Sequence, residues 1–188
     1  MNQEKKKEIL AEIWDYVKTI AITFICVMLI THFIVRPVEV EGSSMYPTLT
    51  DGERAFSGLI TRTLHAPERF EIVTAYLDVR DELLVKRVIG LPGETVEFRD
   101  EVLYINGEPV AQDFLDEEYM KSDMASYGRS YFTADYGPVT LGEDEYFLCG
   151  DNRPHSGDSR VFGPFSAKDI QTTGILVFWP FGSFGIKK

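Results

Sequence analysis

From Thr19 to Val35 the chain reads TIAITFICVMLITHFIV, without a formal charge apart from one that His32 can carry. A helix rises about 1.5 Å per residue and a hydrocarbon core is about 30 Å thick, so this run sits at the short end of what spans a bilayer. Trp14 and Tyr16 suit one interface, and Lys18 and Arg36 can reach outward from the two ends, which lengthens the effective span. A cleavable leader has a shorter apolar run followed by small residues, whereas Val35-Arg36-Pro37-Val38 follows here. A buried core helix carries a polar face, and this run offers only threonines and one histidine. The expectation is a transmembrane anchor over 19–35, preceded by a short segment, 1–18, and followed by one domain, 36–188. Four lysines precede the run, and only Arg36 and Arg54 lie within the next twenty or so residues. The positive-inside tendency therefore puts 1–18 in the cytoplasm and 36–188 outside, in a single-pass protein of the cell membrane.

A chain of 188 residues leaves room for one compact domain beyond such an anchor. Its 44% hydrophobic and 26% charged residues exclude a disordered, collagen-like or polytopic chain. Up to Arg36 five basic residues face four acidic ones, which leaves 14 basic against 26 acidic and net −12 for the outer part; such a surface repels phosphate backbones and speaks against nucleic acid as a partner. Cys26 lies in the apolar run and Cys149 far from it, so no disulfide between them is expected. With no zinc-ligand spacing and three histidines, one of them in the apolar run, no metal and no cofactor are expected.

The outer part reads as a mostly β domain, an antiparallel sheet or barrel. Short apolar and β-branched stretches alternate with polar residues and stop at Gly, Pro and Asn. Val38-Glu39-Val40-Glu41 alternates cleanly, and Glu71–Tyr76 and Glu82–Ile89 are strand candidates. Pro92-Gly93 suits a type II turn. Asn106-Gly107 suits a type I′ hairpin turn after a ribbon of Val96–Phe98 and Val102–Ile105. The acidic and aromatic stretch 113–138 has weak periodicity and is expected to be a loop-rich insertion. Tyr146–Leu148 and Gly174–Trp179 are expected to close the sheet. Phe178 is expected in the core, with Trp179 and Phe181 either in the core or at the membrane interface.

Three segments can carry chemistry. Gly42-Ser43-Ser44-Met45-Tyr46-Pro47-Thr48-Leu49 follows the first strand a few residues beyond the apolar run. It is not the familiar nucleophile elbow, because Tyr46 stands where that motif has Gly. Lys86 interrupts an apolar strand of Leu83, Leu84, Val85, Val88 and Ile89, so it either points to solvent or is desolvated. Half neutrality at pH 7 needs a pKa lowered by about 3.4 units, roughly 4.6 kcal/mol, which burial among aliphatic side chains can supply. A neutral amine near a serine hydroxyl can take its proton and pass it to a leaving amine. The third segment, Gly150–Arg160, holds more polar residues and glycines than a hairpin needs. In it Ser156 can partner the amine, and Asp158 and Arg160 can support. A triad of Ser44, His155 and Asp158 is the rival arrangement.

Together these segments resemble type I signal peptidases, membrane-bound serine proteases with a Ser-Lys dyad, and most closely their single-anchor Gram-positive form. The match rests on Gly42–Leu49, on Lys86-Arg87-Val88-Ile89-Gly90-Leu91-Pro92-Gly93-Glu94 and on Gly150–Arg160, in that order behind an anchor. The resemblance implies that Ser44 is the nucleophile, Lys86 the general base and Ser156 the hydroxyl that orients it. It makes Arg87 a supporting residue and Asp158 and Arg160 a structural ion pair. The Ser44 backbone N–H is implied as one oxyanion donor. The second, in some members a hydroxyl two residues earlier, falls on Gly42 and is left to a backbone group or water. Val38, Val40, Leu84 and Val85 match positions that line the substrate pockets, with an ordinary core role as the alternative. The chain departs from the family's usual Gly-Asp before Ile72-Val73, where it has Phe70-Glu71, and altered local packing is expected there.

The resemblance further implies cleavage of secreted preproteins after small residues at the first and third positions before the scissile bond. Membrane lipid is expected as the other partner, and the sequence sets no oligomeric state. Two other readings compete: a catalytically silent, membrane-tethered binding or assembly factor of the same fold, and a self-cleaving Ser-Lys regulator. The anchor, the acidic charge and the absence of a DNA-binding segment oppose the regulator.

Overall fold

The computed structural model describes residues 3–59 and 64–187; Met1 and Asn2 of the expected N-terminal segment and Lys188 of the expected outer domain lie outside them. One long helix, α1 (Gln3–Phe33), runs through both the expected N-terminal segment and the apolar run. Its stretch Ile9–Phe33 is long and apolar enough to cross a membrane, and none of it is buried against the rest of the chain. Ile20, Ile22 and Phe24 stand exposed along it. The helix stops two residues short of the expected boundary at 35. Ile34 gives the last backbone bond, to the Ile30 carbonyl at 2.9 Å, and Val35 already pairs with Gly58. Pro37 explains the change, since it has no N–H to give a helix and biases Arg36 toward extended backbone.

Twelve strands follow among the described residues, mostly antiparallel. They are β1 (Val35–Glu39), β2 (Arg54–Gly58), β3 (Ile72–Leu77), β4 (Glu82–Gly90), β5 (Thr95–Arg99) and β6 (Val102–Ile105). After them come β7 (Glu108–Val110), β8 (Tyr136–Thr140), β9 (Glu145–Cys149), β10 (Phe165–Ser166), β11 (Ile170–Trp179) and β12 (Gly185–Lys187). The larger sheet has the order β1-β2-β11-β3-β4-β9-β10, with β12 also on β11, and the smaller has β7-β6-β5-β8. The expected hairpin is present, with Asn106 and Gly107 both at positive φ between β6 and β7. Gly93 at φ +77 closes the turn before β5.

Strand β11 sits between β2 and β3 in the middle of the sheet and does not close it as expected. Gly174, at φ +71, marks the bulge where its pairing passes from β3 to β2. Phe178 is only half-buried, stacked on Phe56 at a centroid distance of 4.5 Å, while Trp179 and Phe181 are exposed.

The stretch 113–138 is more ordered than its periodicity suggests. It contains a helix, α2 (Glu117–Tyr127), and ends in β8. The signals were its caps. The Asp116 carboxylate accepts the Tyr119 N–H at 2.9 Å, Glu117 and Glu118 occupy the first turn, and Gly128 leaves in the left-handed region.

Three apolar clusters hold the domain. One joins Val73, Ala75, Val88, Leu148, Phe165 and Ile170 across the larger sheet. A second packs Val96, Phe98 and Leu103 of the smaller sheet on Ile89, Phe147 and Cys149. Strand alternation thus sends Leu148 to one cluster and its two neighbours to the other. The third gathers Val40, Met45, Leu49, Ala55, Ile72, Ile175 and Val177, so the turn after β1 is anchored through its own apolar side chains.

Gly90 ends β4 where the sheets meet, and a Cβ there would lie 2.4 Å from Val96 Cγ2 and 2.9 Å from Leu141 Cδ1. Gly90→Ala should therefore destabilise the domain by about 1–3 kcal/mol. A lowered urea midpoint with an unchanged slope checks this; an unchanged midpoint would mean that the sheets part without cost.

Candidate active site

Ser44 lies in the turn between β1 and β2, and Lys86 lies on β4. The turn is closed at its base by bonds from Val40 N–H to the Glu53 carbonyl and from Gly52 N–H to the Val40 carbonyl, each 2.8 Å. With Met45 and Leu49 buried below, Ser44 is held half-buried at the rim. Lys86 is 2% exposed, and its Nζ donates to Ser44 Oγ at 2.8 Å and to the Val85 carbonyl at 3.0 Å. Burial lowers its pKa from 10.5 to about 8, although the Asp158 carboxylate pulls it back upward. The desolvated reading of this strand lysine is the one the fold adopts.

The third segment reaches both residues from β9. Asn152 donates from its backbone N–H to the Ser44 carbonyl and from Nδ2 to the Ser43 carbonyl, both at 3.0 Å. The Asp151 carboxylate accepts two bonds from Arg87, at 2.8 and 2.6 Å, and one from the Thr48 hydroxyl at 2.6 Å. This ion pair is almost wholly buried, so removing one partner carries a cost of about 3–5 kcal/mol. Arg87 also donates to the Phe70 carbonyl at 2.7 Å and lies over the Phe114 ring. Phe70, at the departure before Ile72, stands at φ +68, where glycine is at ease and phenylalanine is not.

Asp158 is buried and bonded to Arg160 through both oxygens, at 2.9 and 2.7 Å, and it also accepts the Gly150 N–H at 3.0 Å. Burial would raise its carboxyl, but Arg160, the Ser156 hydroxyl and the Gly150 N–H hold it below the ordinary carboxylate range. The Ser156 hydroxyl is buried beside Asp158, whose carboxyl it helps to hold down, and no bond from it to Lys86 occurs among the described residues. It does pack close to Gly150, where an added Cβ would lie 2.4 Å from it and 2.3 Å from the Ser44 carbonyl. His155 gives no support to a triad, because its Nε2 lies 2.9 Å from Asp123 on α2.

The other expected residues divide. The Gly42 N–H is taken by Asp51 Oδ1 at 2.6 Å, so Gly42 has no free backbone donor, whereas the Ser44 N–H has no acceptor among the described residues. Val40 is a core residue at 3% exposure, and Val38 and Val85 pack half-buried at the edge of the same cluster. Leu84 packs with the first cluster, on the face of β4 opposite Val85, so the four do not share one surface. Asp151, Asn152 and Arg153 were not singled out from the sequence, yet all three are buried. The signal available was the polar density of their segment. No group of residues suited to a metal ion occurs among the described residues.

Known proteins resemble this chain along most of its length. Residues 13–179 match the family model described as signal peptidase, peptidase S26. The chain is 41% identical over 183 residues to signal peptidase I S of Bacillus subtilis (strain 168), covering 96% of this chain and 94% of that one. It is 33% identical over 189 residues to signal peptidase IB of Staphylococcus aureus (strain COL), covering 95% and 94%. The crystal structure of a signal peptidase I from Enterococcus faecalis V583 aligns with a TM-score of 0.50 at 35% identity, covering 58% of this chain and 97% of that one. With a family model matching most of its length and relatives of this identity along nearly all of it, the chain belongs to the signal peptidase family, peptidase S26.

Proposed function

We propose that this serine peptidase removes signal peptides from secreted preproteins, with Ser44 as nucleophile and Lys86 as general base. The observation that carries the reading is the 2.8 Å contact between Ser44 Oγ and a lysine that burial brings to a pKa of about 8. At pH 7 roughly a tenth of such a lysine is neutral. Neutral Nζ accepts the Ser44 hydroxyl proton as Oγ attacks the scissile carbonyl, and the Ser44 N–H donates to the developing oxyanion. The lysine then hands the proton to the leaving amine and activates the water that releases the acyl group. Arg87, Asp158 and Arg160 hold the scaffold, and Ser156 borders the lysine's surroundings.

In this reading a substrate strand lies by Val38 and Val85 with small residues at the first and third positions before the cut. Residues 1–18 are cytoplasmic, 36–188 lie outside, and α1 holds the catalytic turn near the cell membrane, where the apolar part of a preprotein also resides. Membrane lipid is then a second partner. The silent-binder alternative leaves the Ser44–Lys86 contact without a use.

Cleavage of a preprotein in liposomes, with the product N-termini sequenced, tests the reading. Wild type should cut after a small-x-small motif, and Ser44→Ala and Lys86→Ala should each lose on the order of 10⁴-fold or more in rate. A Lys86→Ala protein that stays active would refute the dyad.

The activity should also rise with pH through about 8, the range in which Lys86 loses its proton. A profile of kcat/KM with its only lower limb near 6.5 would point to an imidazole instead.

The same titration affects stability. Unfolded, the lysine keeps its proton to about 10.5 and folded only to about 8, so between these values the unfolded state holds more protons and stability rises with pH. Below pH 8 the full cost of about 3 kcal/mol is present. Lys86→Met should therefore unfold at higher denaturant than wild type at pH 7, with the gap narrowing from pH 8 to 10.5; a gap independent of pH would contradict the assignment.

A further inference from the structure

Helix α2 turns an unusual face toward the nucleophile turn. Tyr119, Ser122, Asp123, Ser126 and Tyr127 recur at helical spacing, so they share one side, where a helix packed on a core would carry apolar residues. Ser122, Ser126 and Tyr127 are exposed there. That face forms one wall of a cleft of about 590 Å³. The opposite wall is Ser43, Tyr46, Asn152 and His155. Ser43 is the neighbour of the nucleophile, and Asn152 bonds to the carbonyls of Ser43 and Ser44. The cleft therefore opens directly from the catalytic turn.

Its position relative to Ser44 follows from the turn itself. Met45 points into the core that Val40 joins and Val38 and Val85 border, whereas Tyr46 is exposed and meets Tyr119 edge-on at 4.8 Å. None of Val38, Val40, Leu84 or Val85 lines the cleft. A chain that lies by Val38 and Val85 before the scissile bond and passes Ser44 must leave by another route, and this cleft begins at Ser43, the residue next to Ser44. Its walls are held in place: His155 bonds Asp123 at 2.9 Å, Arg129 pairs with Asp123 at 3.2 Å, and Tyr127 packs on His155 at 5.1 Å. Hydroxyls and phenol rings around a carboxylate already paired suit an extended peptide of mixed side chains better than lipid or a strongly charged segment.

We propose that the cleft between α2 and the nucleophile turn is the subsite for the mature side of the preprotein, the first residues after the scissile bond. The proposal rests on Ser44 being the nucleophile, and it assigns α2 a part in choosing where cleavage occurs. Each turnover also frees a new N-terminus here, so the cleft is the exit of the second product.

Two substrates separate the parts. One is a peptide with several residues beyond the scissile bond; the other is an ester with the same residues before it and only a small alcohol after it. Ser122→Trp and Ser126→Trp fill the cleft from exposed helix positions. Each should lower kcat/KM for the peptide about tenfold or more while the ester stays within about twofold, and the retained ester activity shows that the protein is folded. Peptide cleavage that is unchanged, or an equal loss on both substrates, overturns the subsite. Tyr127→Ala, which enlarges the cleft at its outer end, gives an independent reading. It should shift preference toward bulky residues just after the cut, and an unaltered preference counts against the proposal. Wild type that turns over neither substrate overturns the Ser44 reading itself, and the subsite with it.

Discussion

Everything in the half of this domain that holds Ser44 depends on keeping an ammonium-bearing side chain out of water. Lys86 is 2% exposed on a central strand, and each unit by which burial lowers its pKa costs about 1.4 kcal/mol of folding free energy at neutral pH. Three features make that arrangement tolerable. The Val85 carbonyl and Ser44 Oγ accept from Nζ, and the Asp158 carboxylate opposes the shift through its field. Burial wins, but not completely, and a pKa of about 8 leaves a neutral fraction beside the protonated form at neutral pH.

The lysine alone would achieve little if the serine could drift. The turn carrying Ser44 is fastened from below by Met45 and Leu49 and from the side by Asn152 and by the Thr48–Asp151–Arg87 chain. Arg87 is the residue after Lys86, so one buried ion pair ties the Lys86 strand to the loop of the third segment and, through Thr48, to the turn that carries Ser44. Buried ion pairs of this kind are poor sources of stability but good at fixing one arrangement, because any other leaves a charge unpaired. At this site that role is visible in which elements the pair joins.

Lys86 and the segment Gly150–Arg160 stand out in the sequence because each breaks a local pattern. Lys86 is a charge in an apolar strand, and Gly150–Arg160 is denser in polar groups than a turn requires. The strands were legible where alternation and turn residues agreed, as at Asn106-Gly107. Three things were not. Helix α2 was missed because its inner face is polar, so apolar periodicity could not report it, although Asp116 and Gly128 mark its ends. Asp151, Asn152 and Arg153 act by long-range bonds that no local spacing encodes. The pocket positions were read as one set, but β4 sends Leu84 and Val85 to opposite faces, and only the structure shows which face each cluster occupies.

The long helix α1 and the acidic β domain behind it set the turn that carries Ser44 a few residues beyond a membrane-length segment. The central claim nevertheless concerns one proton. The most direct measurement is the titration of Lys86 Nζ itself in the folded, detergent-solubilised protein, by nitrogen NMR of labelled lysine with the signal assigned through Lys86→Met. The account predicts a midpoint near 8, well below the ordinary lysine value of 10.5. A midpoint at the ordinary value near 10.5 would mean that the amine is a permanent cation at neutral pH, and Lys86 would no longer serve as the base.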